Sequence, residues 1–423
     1  MAVETLKGTE DFDPKKSIDM NKVMDTIKKS FELYGFRPFD TPLIEYMETL
    51  TMKYEEDSEI VEEIFKVKDR GNRELGLRYD LTTPLCRYVA SKPQLKKPFR
   101  RYHIAKVFRD GPLKKGRMRE FYQCDGDVIG QEGQEIEGEL LSLFYTTYKA
   151  LGIDVVLELN NNKILRGSLL EFGANEEDLS SYILSIDKLK KIQKEGVLKE
   201  IEEKNLDTQI CSSAIDLLSS KSIDILKESS SNELLKEGVN ELSTLVTLLD
   251  FQKVPYRLNF SLSRGLDIYT GNIWESYDLS ESVTSSLGAG GRYDKVIGEY
   301  MALTKGNKEV TEFVPAVGIS FGLVPIMSVL ESKEDSSQKE GLTTTLIVPL
   351  SQDCVSKGFQ IADKFRNENI NTEMFYGYSM KKAFKYCDYL GVENIVILGE
   401  KDIEKNTYVL KNLKSKEETI FSL

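Results

Sequence analysis

The chain carries one histidine, one tryptophan and no closely spaced cysteine pair, and each shortage excludes something. His103 alone cannot build a histidine-rich metal site, and it reads as a residue that satisfies a local hydrogen bond within its strand. The five cysteines, Cys86, Cys124, Cys211, Cys354 and Cys387, lack C-x-x-C spacing, so neither a zinc cage nor a disulfide framework is indicated and they read as reduced packing residues. No run approaches the roughly 18 apolar residues of a membrane span. The charged start MAVETLKGTEDFDP is no secretory signal, so a cytoplasmic setting without a membrane partner is expected. The glycine-rich stretch SLGAGGRYDKVIG lacks the spacing of a P-loop or a dinucleotide fingerprint. A net charge of −12 argues against indiscriminate nucleic-acid binding, because phosphate contacts require clustered cations. Residues 341–423, however, balance 11 Lys+Arg against 11 Asp+Glu, so the acidic excess lies upstream and the tail is free to meet RNA.

What is present centres on RRYHIAKVFRDGPLKKGRMREFYQCDGDVIG, Arg100 to Gly130. Two β-rich runs, Arg100 to Arg109 and Arg117 to Ile129, flank a loop rich in Gly, Pro and Lys, which predicts an antiparallel hairpin. Period-two alternation puts Arg117, Arg119, Phe121, Gln123, Asp125 and Asp127 on one side of the second strand. Such a row passes from cations through a ring to an amide and two carboxylates. It suits a ligand with phosphates at the loop end and a positive or hydrogen-bonding group at the other, with Arg109 offering a guanidinium fork to the phosphates. The same residues also suit the solvated outer face of an ordinary sheet.

With 423 residues, two or three domains are expected. Apolar spacing predicts a helix over Asn21 to Tyr34, then an extended segment, Phe36 to Glu45, whose Pro38 and Pro42 place it at a sheet edge or beside another subunit. LGLRYDLTTPLCRYVA, Leu75 to Ala90, couples a strand to a helix. Thr82 or Thr83 reads there as N-cap and Asp80 as a complement to the helix dipole, a structural account that stands beside a ligand role. Residues 160–252, rich in Lys, Glu, Ser and Leu, read as a helical insertion. Leu258 to Ser263 alternates like a strand, and Gly265 and Gly271 bracket Asp267 and Tyr269 just after Arg264, which suggests close backbone approach to a ligand. Beyond residue 340, strands at Thr344 to Val348, Thr372 to Phe375 and Asn394 to Leu398 alternate with helices. That pattern predicts a small α/β domain with a mostly parallel sheet behind a linker at 331–340.

KGTEDFDP, TPLIE, LRYDLTTPLCRYVA, the hairpin, SRGLDIYTGNIWE and GAGGRYDKVIG together resemble the histidyl-tRNA synthetase family, a class II aminoacyl-tRNA synthetase family, in its eukaryotic cytosolic form. The resemblance implies an α+β fold with a class II antiparallel-sheet catalytic domain at 1–159 and 253–330. It further implies a helical insertion at 160–252 and an α/β anticodon-binding domain at 341–423, assembled as a homodimer with Pro42 in the pairing motif. It also implies ligation of L-histidine to tRNA(His) with ATP and Mg²⁺, the metal arriving with the nucleotide and not fixed by the protein alone. By matching position, Arg109 would hold the α-phosphate, Arg117 the outer phosphates beside Arg119, and Phe121 would stack on adenine. Asp80, Thr82, Gln123 and Asp127 would surround the histidine amine and α-phosphate region, Tyr269 would reach the imidazole, and Arg264 would act as a second cation at the reacting groups.

The chain also departs from the family. Where the third class II motif ends in Gly-x-Glu-Arg it reads Gly322-Leu323-Val324-Pro325, and Ile268 stands where relatives have tyrosine. Loss of that arginine opens an alternative, a catalytically weakened histidine or tRNA sensor. A non-enzymatic partner of histidine biosynthesis fits less well, because the α/β tail and Arg264 are retained.

Overall fold

The computed structural model describes residues 3–52, 59–112, 118–220, 222–229, 231–263, 268–306, 312–333 and 341–422. The chain divides into two compact units, residues 1–10 with 23–332, and residues 11–22 with 333–423. In the first unit the strands are β1 (Arg37–Pro38), β2 (Ile44–Tyr46), β3 (Lys66–Lys68), β4 (Glu74–Leu77), β5 (Phe99–Phe108), β6 (Glu120–Ile129), β7 (Val155–Asn161), β8 (Tyr256–Leu258), β9 (Asn272–Asp278), β10 (Gly288–Arg292) and β11 (Ala316–Gly322). Eight form one sheet in the order β1-β5-β6-β11-β10-β9-β7-β8. Its central pairings are antiparallel, while β1 joins β5 and β8 joins β7 in parallel at the two edges. The proline-bearing segment therefore takes an edge, where a missing N–H disturbs no ladder. Strands β2, β4 and β3 make a separate small sheet.

The hairpin forms as its alternation requires, with Arg101 opposite Asp127, His103 opposite Asp125 and Ala105 opposite Gln123. One face of the large sheet is packed with rings. Phe31, from the helix Pro14–Leu33, stacks on Tyr102 at 5.6 Å and meets Phe321 edge-on at 5.7 Å. Phe144 and Tyr148, from the helix Glu135–Ala150, lie 4.6 and 5.4 Å from Phe321. Such pairs add about 0.5–1.5 kcal/mol each beyond area burial. Gly126 is required here, since a Cβ would sit 2.2 Å from the Phe31 ring.

The same face holds a buried polar crosslink. Arg292 donates from Nε to Glu137 at 2.5 Å and from Nη2 to the Gly133 carbonyl at 2.6 Å. Asn272 donates to the second Glu137 oxygen and accepts from Asn161 at 2.9 Å. One carboxylate thus ties β9, β10 and a helix together.

Several expectations need correction. The first helix starts at Pro14, a first-turn proline, seven residues before the predicted start. The alternation Leu258 to Ser263 is not a strand: β8 ends at Leu258, and Asn259 to Leu262 turn back on themselves through a 2.9 Å backbone bond. The insertion, read as 160–252, is largely helical among its described residues, from Asn162–Glu171 to Glu233–Gln252, but Asn160 and Asn161 still belong to β7. At the predicted linker, helix Leu323–Lys333 covers the first residues, and 334–340 lie outside the described residues. All five cysteines are free and buried.

In the second unit β12 (Thr345–Pro349), β13 (Thr372–Met374) and β14 (Asn394–Leu398) are parallel, as expected. Two further strands, β15 (Thr407–Asn412) and β16 (Glu418–Ser422), add antiparallel to give β13-β12-β14-β15-β16, so the sheet is mixed. Among the described residues no helix is long and apolar enough to cross a membrane.

Because Glu137 and Arg292 are both buried, removing one partner leaves an uncompensated charge. Arg292→Ala is expected to cost about 3–5 kcal/mol, read as a lowered denaturation midpoint, with part of the loss recovered in the Glu137→Gln/Arg292→Met double variant.

Candidate active site

The face opposite the rings has a floor almost without side chains. Gly318, Ser320 and Gly322 of β11 stand beside Asp127, Asp125 and Gln123 of β6, and Gly291 and Ala289 of β10 continue the rows. Both outer glycines are forced: a Cβ on Gly318 would lie 2.2 Å from Asp127 Oδ1, and one on Gly291 2.6 Å from the Tyr269 ring. Asp127 and Tyr269 therefore face the two sides of a trough floored by glycine.

At one end lies a cleft of about 300 Å³, lined by Arg109, Phe121, Gln123, Ser320 and, at the start of the last helix of this unit, Val324 and Pro325. Arg109 lies over the Phe121 ring at 5.2 Å and donates from Nε to the Tyr79 carbonyl at 3.1 Å. Arg119 pairs with Asp110 at 3.1 Å, and its backbone N–H reaches the Gly8 carbonyl of KGTEDFDP at 2.7 Å. No carboxylate is among the described residues lining this cleft. Pro325 is the third residue of its helix, where a missing N–H costs nothing.

The other end is acidic. Asp127 Oδ2 lies 2.7 Å from Nη2 of Arg101, off the hydrogen-bonding direction, and its Oδ1 accepts from the Tyr293 hydroxyl. Arg101 is fully buried and donates to the Leu81 carbonyl at 3.2 Å. Asp80 accepts the Thr83 backbone N–H at 2.8 Å and the Thr83 hydroxyl at 3.3 Å, so it caps the helix Thr82–Ala90 in place of Thr82 or Thr83. Burial raises the Asp127 pKa against the opposing pull of Arg101 and Tyr293. Burial also pushes Asp125 up to about 7, with Arg101 opposing and Asp127 and Asp80 reinforcing the shift.

Of the expected site residues, Asp80, Gln123, Asp127, Phe121 and Arg109 gather on this one face. Thr82 opens the helix that Asp80 caps, and Tyr269 lies across the glycine floor. Arg117 and Arg264 lie outside the described residues. Sequence reasoning missed Arg101 and Tyr293. Arg101 alternates with His103 on the first strand, a readable signal, but what it pairs with depends on hairpin register. Tyr293 follows the glycine-rich strand, and nothing local marks it. Among the described residues no group of three or more metal-ligating side chains forms a metal site.

His103 bonds outside its strand, through Nε2 to Asp40 at 2.9 Å. Burial and the nearby Arg101 and Arg78 bring its pKa down to about 4, opposed by Asp40. Since folding lowers this value, neutral His103 favours the native state above pH ~6.5, and that contribution is lost as pH falls toward 4. As the only histidine it gives one imaginable set of imidazole resonances. These resonances are expected to stay unshifted from pH 8 down to about 5.5, and a midpoint near 6.5 would contradict the burial argument.

Comparison with known proteins gives the family. A family model described as histidyl-tRNA synthetase matches residues 8–326, and one described as an anticodon binding domain matches 344–423. Histidine-tRNA ligase 1 of Bacillus cereus is 37% identical over 99% of this chain and 97% of its own length. The zebrafish (Danio rerio) histidine-tRNA ligase is 33% identical over 98% of this chain and 86% of its own. The crystal structure of histidyl-tRNA synthetase from Nostoc sp. PCC 7120 superposes with a TM-score of 0.85 at 26% identity, covering 100% of this chain and 97% of that one. With bacterial relatives at the higher identity, the expected eukaryotic cytosolic subtype is not supported. The chain belongs to the histidyl-tRNA synthetase family.

Proposed function

We propose that this protein activates L-histidine with ATP and transfers the histidyl group to tRNA(His). The observation that carries this reading is one sheet face that is acidic at one end and holds a guanidinium over an aromatic ring at the other, joined by a floor of glycine and small residues. In the first step a histidine carboxylate oxygen attacks the α-phosphorus, the bond to the β-phosphate bridging oxygen breaks, and pyrophosphate leaves. A ribose hydroxyl of the terminal adenosine then attacks the carbonyl carbon, and AMP leaves.

Two anions meet in the first step, so fixed cations and orientation matter more than an acid or base. Arg109 and Arg264 hold the α-phosphate and the reacting carboxylate, Arg117 and Arg119 serve the outer phosphates, and Phe121 carries adenine on its face. Asp80, Thr82, Gln123 and Asp127 seat the histidine amine, and Tyr269 reaches the imidazole. Mg²⁺ would come bound to the nucleotide phosphates, where it would supply positive charge to their oxygens. The cleft's described lining, which offers a guanidinium and no carboxylate, fits a metal held by the phosphates.

The catalytic domain spans 1–159 and 253–330, the insertion 160–252, and 341–423 reads tRNA. In that last region exposed Tyr376, Tyr378, Phe384 and Tyr389 lie in a sequence stretch with Lys381 and Lys382, a combination suited to stacking on RNA bases. Exposed Leu43, Ile44 and Tyr46 around β2 support a homodimer, with the assembly in the cytoplasm. A second reading, a weakened sensor, is favoured by Val324 and Pro325 making that wall of the cleft apolar.

Histidine-dependent ATP–pyrophosphate exchange separates the two readings: robust exchange is expected, and its absence in a folded protein that binds histidine favours the sensor. Arg109→Ala and Arg264→Ala are each expected to slow exchange about 100-fold, near 3 kcal/mol of barrier, with a much smaller change in histidine affinity. Equal losses in rate and affinity would overturn those roles.

A further inference from the structure

Among the described residues, three carboxylates crowd the acidic end of the site. Asp80, Asp125 and Asp127 are 6%, 4% and 3% exposed, and they share one buried guanidinium, Arg101. Asp80 caps its helix through Thr83, and Asp127 accepts from the Tyr293 hydroxyl through Oδ1 while its Oδ2, without a hydrogen bond, lies 2.7 Å from Arg101. Asp125 takes a hydrogen bond from Ser320, and among the described residues its Oδ1 is buried with neither a hydrogen bond nor an ion pair.

The groups facing it from each packed strand account for this. On β5 they are Arg101 and His103, on β11 Ser320, and along its own strand Asp127. His103 donates from Nε2 toward Asp40, and its other nitrogen has no partner either. No donor from these elements reaches Asp125 Oδ1. A buried acceptor left unmatched costs free energy, more so when charged, and a ligand that supplies the missing donor recovers that cost.

Position says which ligand group. Asp125 stands between Gln123 and Asp127 on the same face, one strand repeat from each, and its cross-strand neighbour Ser320 lines the cleft. The complementary ligand group is an N–H donor able to carry positive charge. We propose that Asp125 is a further specificity-determining residue of the amino-acid pocket, whose open oxygen accepts an N–H from the imidazole of bound histidine. This rests on the function proposed above. A carboxyl whose pKa stands near 7 is also matched to an imidazole near 6.5, so the pair can share one proton and hold the ring in either charge state.

The test is Asp125→Asn in the full chain, with three readouts: KM for histidine and for ATP in pyrophosphate exchange, calorimetric Kd for histidine, and melting temperature at pH 8. The expected result is a 10- to 100-fold rise in the histidine KM and Kd, the range for hydrogen bonds to charged groups. The ATP KM should stay within about twofold and the melting temperature should not fall, because the variant removes an uncompensated buried charge. Histidine KM and Kd within about threefold of the parent overturn the proposal. So does a fall in melting temperature with equal losses toward histidine and ATP, which marks a structural carboxylate. If Asp125→Asn does not fold, Asp125→Ser carries the same comparison, and failure of both to fold also overturns it. A parent protein that neither exchanges pyrophosphate nor binds histidine overturns the underlying function, and this inference with it. An active parent with an unaffected variant overturns the inference alone.

Discussion

A fully buried guanidinium, Arg101, holds the acidic half of this site together. Removing such a charge from water costs several kcal/mol unless partners take its place, and here Nη2 meets Asp127 on the next strand and the Leu81 carbonyl before a helix, while Nε and Nη1 have no hydrogen-bond partner among the described residues. Tyr293, the residue after β10, then fixes Asp127 from across β11. Hairpin register, helix start and the end of the glycine-rich strand are thus coupled through one ion pair. The pair fixes position more than it adds stability, since well-packed apolar residues of similar volume often stabilise a fold as much or more.

The two faces of the large sheet divide the work. On one, Phe31, Tyr102, Phe144 and Phe321 pack ring against ring, and the alternate β11 residues Val317 and Ile319 are buried with Phe321. On the other, the intervening residues shrink to Gly318, Ser320 and Gly322, leaving room for a ligand between Asp127 and Tyr269. Period-two alternation makes this separation possible, because a rigid aromatic back and an open front need no extra layer of structure. Loss of the third-motif arginine alters only the front: Val324 and Pro325 continue the helix geometry while making that part of the cleft apolar. Among the described residues lining the cleft, Arg109 of the hairpin is the charged one.

Much of this was readable from the chain. Alternation along Phe121, Gln123, Asp125 and Asp127 predicted a shared face, and the six ordered motifs predicted the family. The α/β reading of the tail stops at Asn394 to Leu398: β15 and β16 are short, and the charged turn LKSKE between them masks their β-prone Tyr, Val, Ile and Phe until the strands pair. The run Leu258 to Ser263 failed for the opposite reason: it alternates locally, yet beyond Leu258 it turns away from the strand that would have paired with it.

By itself the sequence determined which residue types could share a strand face, where glycine left space, and which chemistry those types suit, because these follow from local backbone periodicity. Only the tertiary structure decided that Arg101 and Tyr293 stand beside Asp127, and that Asp125 Oδ1 is left without a hydrogen-bond partner. It also decided that His103 looks outward to Asp40. Those outcomes turn on strand register and on contacts between residues as far apart as Asp127 and Tyr293, and pairing of that kind is set by the packing of the whole sheet.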